Sequence, residues 1–201
     1  MSINVCNDRS MASITSLPSG VSGSSLVLLS TQTASSSATI DFTSDIDSTY
    51  KEYQFHFTSI HPATDAADFS FQADTGTNTS YNQTITSSFF RAILSEADDT
   101  PSLAYVTGND QAQATGFQML NNGTGSDNDQ STAGILTIFE PSSTTFVKHF
   151  TSRFNELIAS DQQYDAFCAG YVNTTTALTR VRFKFSSGNI DAGVIKMYGV
   201  K

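Results

Sequence analysis

Lys51-Glu52-Tyr53-Gln54-Phe55-His56-Phe57-Thr58 is the stretch that decides the fold. Successive side chains of a strand point to opposite faces, so Tyr53, Phe55 and Phe57 share one face and Glu52, Gln54, His56 and Thr58 the other. Eight residues of strict alternation predict a strand with one buried, aromatic face. The same alternation recurs at residues 39–42, 69–71, 135–139, 146–150, 181–185 and 194–200. Between these segments lie clusters of Asp, Asn, Gly, Ser and Thr at 45–49, 74–80, 121–131, 141–145 and 186–189. Such residues supply positive φ and side-chain-to-backbone turns. About ten strands are expected, spaced as in an antiparallel sandwich or barrel.

One segment admits two readings. Phe89, Phe90, Ile93, Leu94 and Ala97 fall on a helical stripe. The acids that follow, Glu96, Asp98 and Asp99, oppose a helix macrodipole at that end, and the Ser/Thr-rich flanks suit a strand equally. Residues 87–98 are therefore helix or strand.

Composition narrows the class. The 201 residues include 15 Phe, 7 Tyr and no Trp, and only 14% are charged. Ser and Thr make up roughly a quarter. This is enough apolar material for one domain and the wrong composition for a helical bundle. The longest apolar run, Leu26-Val27-Leu28-Leu29, is far short of the ~20 residues of a membrane helix. The N-terminus has no apolar stretch of secretory type, so no such leader is expected. Residues 1–25 hold isolated Ile3, Val5, Ile14 and Leu17 among Ser, Gly and Pro, and read as an extended arm preceding a domain at 26–201. Either Met1 or Met11 can serve as the start. Cys6 and Cys168 read as free thiols, the second buried in a strand.

The net charge of −9 is unevenly placed. Residues 1–140 hold 15 acids and 3 bases, residues 141–201 hold 4 acids and 7 bases. An acidic chain is a poor partner for nucleic acid. Arg180, Arg182 and Lys184 alternate with Val181, Phe183 and Phe185, so the three cations share a strand face. That face either meets an acidic partner or a neighbouring copy, or is a solvated surface whose charges discourage edge pairing.

Signals for chemistry are weak. Asp127-Asn128-Asp129 lacks the register of a calcium loop and reads as a hairpin tip. His56, His61 and His149 have no metal-ligand spacing. No nucleophile elbow, phosphate loop or cysteine-histidine signature occurs. No metal, no cofactor and no enzymatic activity are expected. Sequons at Asn78, Asn82, Asn122 and Asn173 are what chance yields in so Asn- and Thr-rich a chain.

Several segments carry a resemblance. Leu28-Leu29-Ser30-Thr31-Gln32-Thr33-Ala34, Ile40-Asp41-Phe42-Thr43 and Asp47-Ser48-Thr49-Tyr50 open it. Ile60-His61-Pro62-Ala63-Thr64-Asp65, Gly125-Ser126-Asp127-Asn128-Asp129-Gln130 and Pro141-Ser142-Ser143-Thr144-Thr145-Phe146 continue it. Ser186-Ser187-Gly188-Asn189-Ile190-Asp191 and Met197-Tyr198-Gly199 close it. Together, over about residues 26–199, these resemble a structural-protein module of marine tailed bacteriophages. The resemblance implies a β-sandwich on a virion and brings no catalytic residues with it. Similar modules stand alone as small virion proteins or form parts of tail fibres, and the glycine-rich repeats that often precede the fibre version do not occur here.

The expectation is thus an all-β antiparallel sandwich, jelly-roll-like, with an extended arm. It is expected to be a non-enzymatic virion protein on the particle exterior. There it would act as a capsid decoration (cement) protein, a homo-oligomer such as a trimer, with partners among other virion proteins and no membrane. Ile3, Val5, Ile14 and Leu17 of the arm and Arg180, Arg182 and Lys184 are the candidate contact residues. The alternative is a tail-fibre or receptor-binding module that recognises host-surface glycans through loops 74–80 and 121–131. A glycan-cleaving enzyme stands third.

Overall fold

A computed structural model of the protein describes residues 25–99 and 101–201. The described residues form twelve strands and no helix. They are β1 (Leu26–Thr33), β2 (Ile40–Phe42), β3 (Glu52–Pro62), β4 (Phe69–Thr75), β5 (Ile85–Ser95), β6 (Ser102–Tyr105), β7 (Gln118–Met119), β8 (Thr132–Phe139), β9 (Lys148–Leu157), β10 (Gln162–Val172), β11 (Leu178–Phe185) and β12 (Ile190–Val200). The arm residues Ile3, Val5, Cys6, Ile14 and Leu17, and the two candidate start sites, lie outside the described residues.

Two antiparallel sheets pack face to face. The large one runs β1-β12-β3-β8-β9-β10-β5-β6 and the small one β2-β11-β4-β7. Eight of these strands, β1, β2, β3, β4, β7, β8, β11 and β12, alternate between the sheets. Numbered among themselves, their orders are 1-8-3-6 and 2-7-4-5. That interleaving of two Greek keys is the jelly roll. The remaining four strands, β9, β10, β5 and β6, extend the large sheet beyond the roll on the β8 side.

The alternation of β3 sets this arrangement. Tyr53, Phe55 and Phe57 point inward and are buried, while Gln54 and His56 are half-buried on the outer face. Each phenyl ring removed from water contributes about 1.5–3 kcal/mol. Phe42, Phe55, Phe57, Phe69, Phe71, Phe150, Phe154, Phe183 and Phe185 fill the space between the sheets. Phe183 of β11 lies at the centre, 5.0 Å from Phe57, 5.3 Å from Phe55, 5.9 Å from Phe69 and 6.1 Å from Phe42, ring centre to ring centre.

Beyond Phe57 the period slips. Ser59 takes φ 49°, and the β3–β12 ladder shifts register opposite Gly193, itself at φ 122°. A Cβ on Gly193 would sit 2.6 Å from the Ser59 carbonyl oxygen, so this bulge admits only glycine there.

Residues 87–98 contain a strand, with β5 paired to β10 over its whole length. The helical stripe arose because this strand is apolar on both faces. Phe89 and Ile93 point inward and Phe90 and Leu94 outward, and two such doublets four residues apart imitate a helical period. The strand expected over 146–150 begins only at Lys148, whose buried Nζ donates to the carbonyls of Phe146 (3.1 Å) and Thr174 (2.9 Å).

Candidate functional site

The outer face of the large sheet is the most distinctive surface. Register fixes which side chains share it: Ile135 lies opposite Arg153, Phe167 opposite both Arg153 and Phe90, and Phe90 opposite Tyr105. Ala92 lies opposite Leu103 and Asp165, and Gln163 opposite Leu94. Among the described residues, eight large hydrophobic side chains are exposed, and six stand here on β8, β5 and β6: Phe90, Leu94, Leu103, Tyr105, Ile135 and Phe139. Leu103, on the edge strand β6, is 74% exposed.

Apart from His149, the only acid and base pointing outward from β8, β9, β10, β5 and β6 are paired with each other. Arg153 donates to Asp165 through Nε (2.9 Å) and Nη2 (2.7 Å). The carboxylate holds the guanidinium charged, its affinity for the proton raised by that hydrogen bond. Solvent reaches Arg153, so the pair adds little to the stability of the fold; its effect is to cancel the two charges that the strands themselves place on this face. The Arg153 guanidinium stacks 5.0 Å over the Phe167 ring, and Phe167 stacks on Phe90 at 4.8 Å with the rings 5° apart. A shallow groove of about 440 Å³ lies beside this stack, lined by Ala133, Gly134, Ile135, Arg153, Asn155 and Asp165. Both faces of Phe167 are covered by its neighbours. The stack therefore presents ring edges to solvent, which suits flat packing against protein better than stacking on a sugar.

The basic stripe is placed otherwise than expected. Its strand β11 is flanked by β2 and β4, so these charges guard no edge. Nor do they form a free cationic surface. Arg182 makes a bidentate pair with Asp41 (2.7 and 2.5 Å) and lies 4.0 Å over the Tyr81 ring. Lys184 sits 4.6 Å over Phe117, and Arg180 donates to the Gly76 carbonyl at 3.1 Å. The stripe clasps segments that wrap the small sheet.

The same wrapping corrects the loop assigned to residues 74–80. Asp74 is fully buried at the end of β4, accepting from the Tyr81 N–H (2.8 Å) and Gln83 Nε2 (3.0 Å). Gln72 likewise donates to the carbonyls of Gln83 (2.9 Å) and Gly116 (2.8 Å). Asp74 cannot touch a ligand, and glycan contact there is confined to the exposed residues 76–80. Residues 69–74 alternate as a strand should, but β4 is covered on both faces, so its outward polar residues are structural.

At residues 127–130 the tip closes as a turn, with the Gln130 N–H donating to the Asp127 carbonyl at 2.9 Å. His61 approaches the same carbonyl at 3.2 Å and Asp191 at 3.7 Å. His56 packs on Tyr198 and His149 on Tyr171, so the three histidines share no site. No group of three or more metal-ligating side chains occurs among the described residues.

Two buried ionisable groups complete the picture. Burial pushes the Cys168 thiol, on the inner face of β10, up to about 12. Glu156, on the inner face of β9, accepts from the Asn122 N–H (2.7 Å) and the Thr124 hydroxyl (3.0 Å). Burial nevertheless raises its pKa to about 7, with the charge of Asp68 adding to the shift and those hydrogen bonds and Arg91 opposing it. It ties loop 121–125 to the sheet extension, and its place two residues after Phe154 on the same strand face was the available sign of its burial.

Compared with known proteins, the chain matches no protein-family model, no curated protein and no solved structure.

Proposed function

We propose that the protein is a non-enzymatic structural component of a bacteriophage particle, displayed on its exterior as a capsid decoration protein anchored by residues 1–25. The observation that carries this reading is the outer face of β8, β9, β10, β5 and β6, where six large apolar side chains are exposed and Arg153 and Asp165 neutralise each other. Exposed apolar patches of this kind mark interaction sites. The jelly roll is compatible with the role, being used by capsid and lectin domains alike, and does not select it. The resemblance of residues 26–199 to phage structural modules supplies the particle.

The tail-fibre reading, with host-surface glycans as ligand, draws on loops 74–80 and 121–131, whose exposed parts are residues 76–80 and 127–129. The edge-on aromatic stack gives no platform for a sugar on the sheet itself, so the decoration reading stands first.

Deleting residues 1–25 tests the anchor. The truncated chain is expected to melt cooperatively, because the described core is complete without the arm, and to lose binding to particles stripped of the native protein. Undiminished binding by the truncated chain would remove the arm from the account.

A further inference from the structure

We infer that the outer face of β8, β9, β10, β5 and β6 is covered by the same face of a second copy, the two related by a twofold axis. This deepens the decoration reading, which needs a surface for lateral assembly. Three observations commit the face to this occupant. First, it is apolar where it protrudes, with Phe90, Leu94, Leu103 and Tyr105 exposed at its β5–β6 end. Second, a chain of net charge −9 repels its own copies, and the strands of this face point no unpaired Asp, Glu, Lys or Arg outward, the Asp110 carboxylate lying at its border against the Tyr105 hydroxyl (2.6 Å). Third, the one charged element present is self-complementary. A twofold axis sets the Arg153–Asp165 dipole of one copy antiparallel to that of the other, so each guanidinium gains a second carboxylate.

The size is adequate. Five strands at about 4.8 Å spacing, averaging about 30 Å in length although β6 is only four residues long, give roughly 700 Å² per copy, close to the ~800 Å² per partner of a standard interface. The contact is isologous and closes on itself. It therefore gives an even-numbered assembly in place of the trimer expected from sequence.

Sedimentation equilibrium of the isolated full-length chain tests this without any particle. The wild type is expected to show twice the mass of the single chain. Leu103→Lys, at an exposed edge position where folding is tolerant, is expected to raise the dissociation constant about tenfold or more. Arg153→Asp should also dissociate the pair, and the exchange R153D/D165R should restore it, because both copies then carry the reversed dipole. Circular dichroism melts verify that each variant is folded. A monomeric or threefold wild type would overturn the inference, as would a dimer indifferent to both Leu103→Lys and Arg153→Asp. Either result leaves particle binding untouched, so failure here is distinguishable from failure of the decoration reading.

Discussion

Replacing Phe183 with alanine is expected to destabilise the protein by about 3–5 kcal/mol, the largest effect of any single aromatic truncation in the chain. Phe183 is fully buried and its ring lies within 6.1 Å of four others, on β2, β3 and β4. Removing it takes away the transfer free energy of the ring and leaves a cavity between the sheets. It also deletes edge contacts worth about 0.5–1.5 kcal/mol each. With total stability of about 5–15 kcal/mol for a domain, the urea midpoint should fall by a large fraction. Leu28→Ala on β1, exposed and outside the proposed dimer face, serves as the control and should shift stability by no more than about 0.5 kcal/mol. A Phe183→Ala loss below about 1 kcal/mol would contradict the placement of the core.

The second large effect is a dependence on pH. Glu156 titrates near 7 in the folded protein and near its ordinary value of 4.5 when unfolded. The folded state then binds the proton more tightly, so the contribution of this group to stability is complete below about pH 4.5. It is lost as pH rises through 7, by on the order of 3 kcal/mol. Burial also raises the pKa of Asp68, beside it, which acts in the same sense. Arg91 and the donors Asn122 and Thr124 oppose the shift without cancelling it. Glu156→Gln is neutral at every pH and should remain nearly level between pH 5 and 8 while the wild type declines. Urea unfolding across that range measures the difference. Parallel curves for the two proteins would show that Glu156 does not titrate there.

Much of the fold was legible because its signals are local. Tyr53, Phe55 and Phe57 announce a one-sided strand, and the Asp, Asn and Gly clusters mark where strands end. Two strands are legible only in part: β4, expected from 69–71, has the polar Gln72 and Asp74 on a covered face, and β5, readable as helix or strand, has apolar residues on both faces. β4 alternates and β5 does not, yet in both what the outer face meets is decided elsewhere, for β4 by distant segments such as 81–83 and 115–118.

The candidate site was less legible for the same reason. Phe90, Leu103, Arg153 and Phe167 come from four strands and become neighbours only through sheet order. The doublets Phe89-Phe90 and Ile93-Leu94 were the available hint, since a strand apolar on both faces has a second surface to cover. Arg180, Arg182 and Lys184 were rightly placed on one face. Their partners Asp41, Tyr81 and Phe117 lie too far along the chain to be anticipated, and those partners make the stripe structural.

The central claim is that the protein serves as an exterior building block of a virion. Cryo-electron microscopy of the intact particle whose genome encodes the chain tests it most directly. The account predicts many copies of the jelly roll on the head, each joined to the shell through density leading from Ser25 and β1, with the outer face of the large sheet buried against a neighbouring copy. Density for the domain at the tail tip alone, or its absence from the particle, would contradict the account.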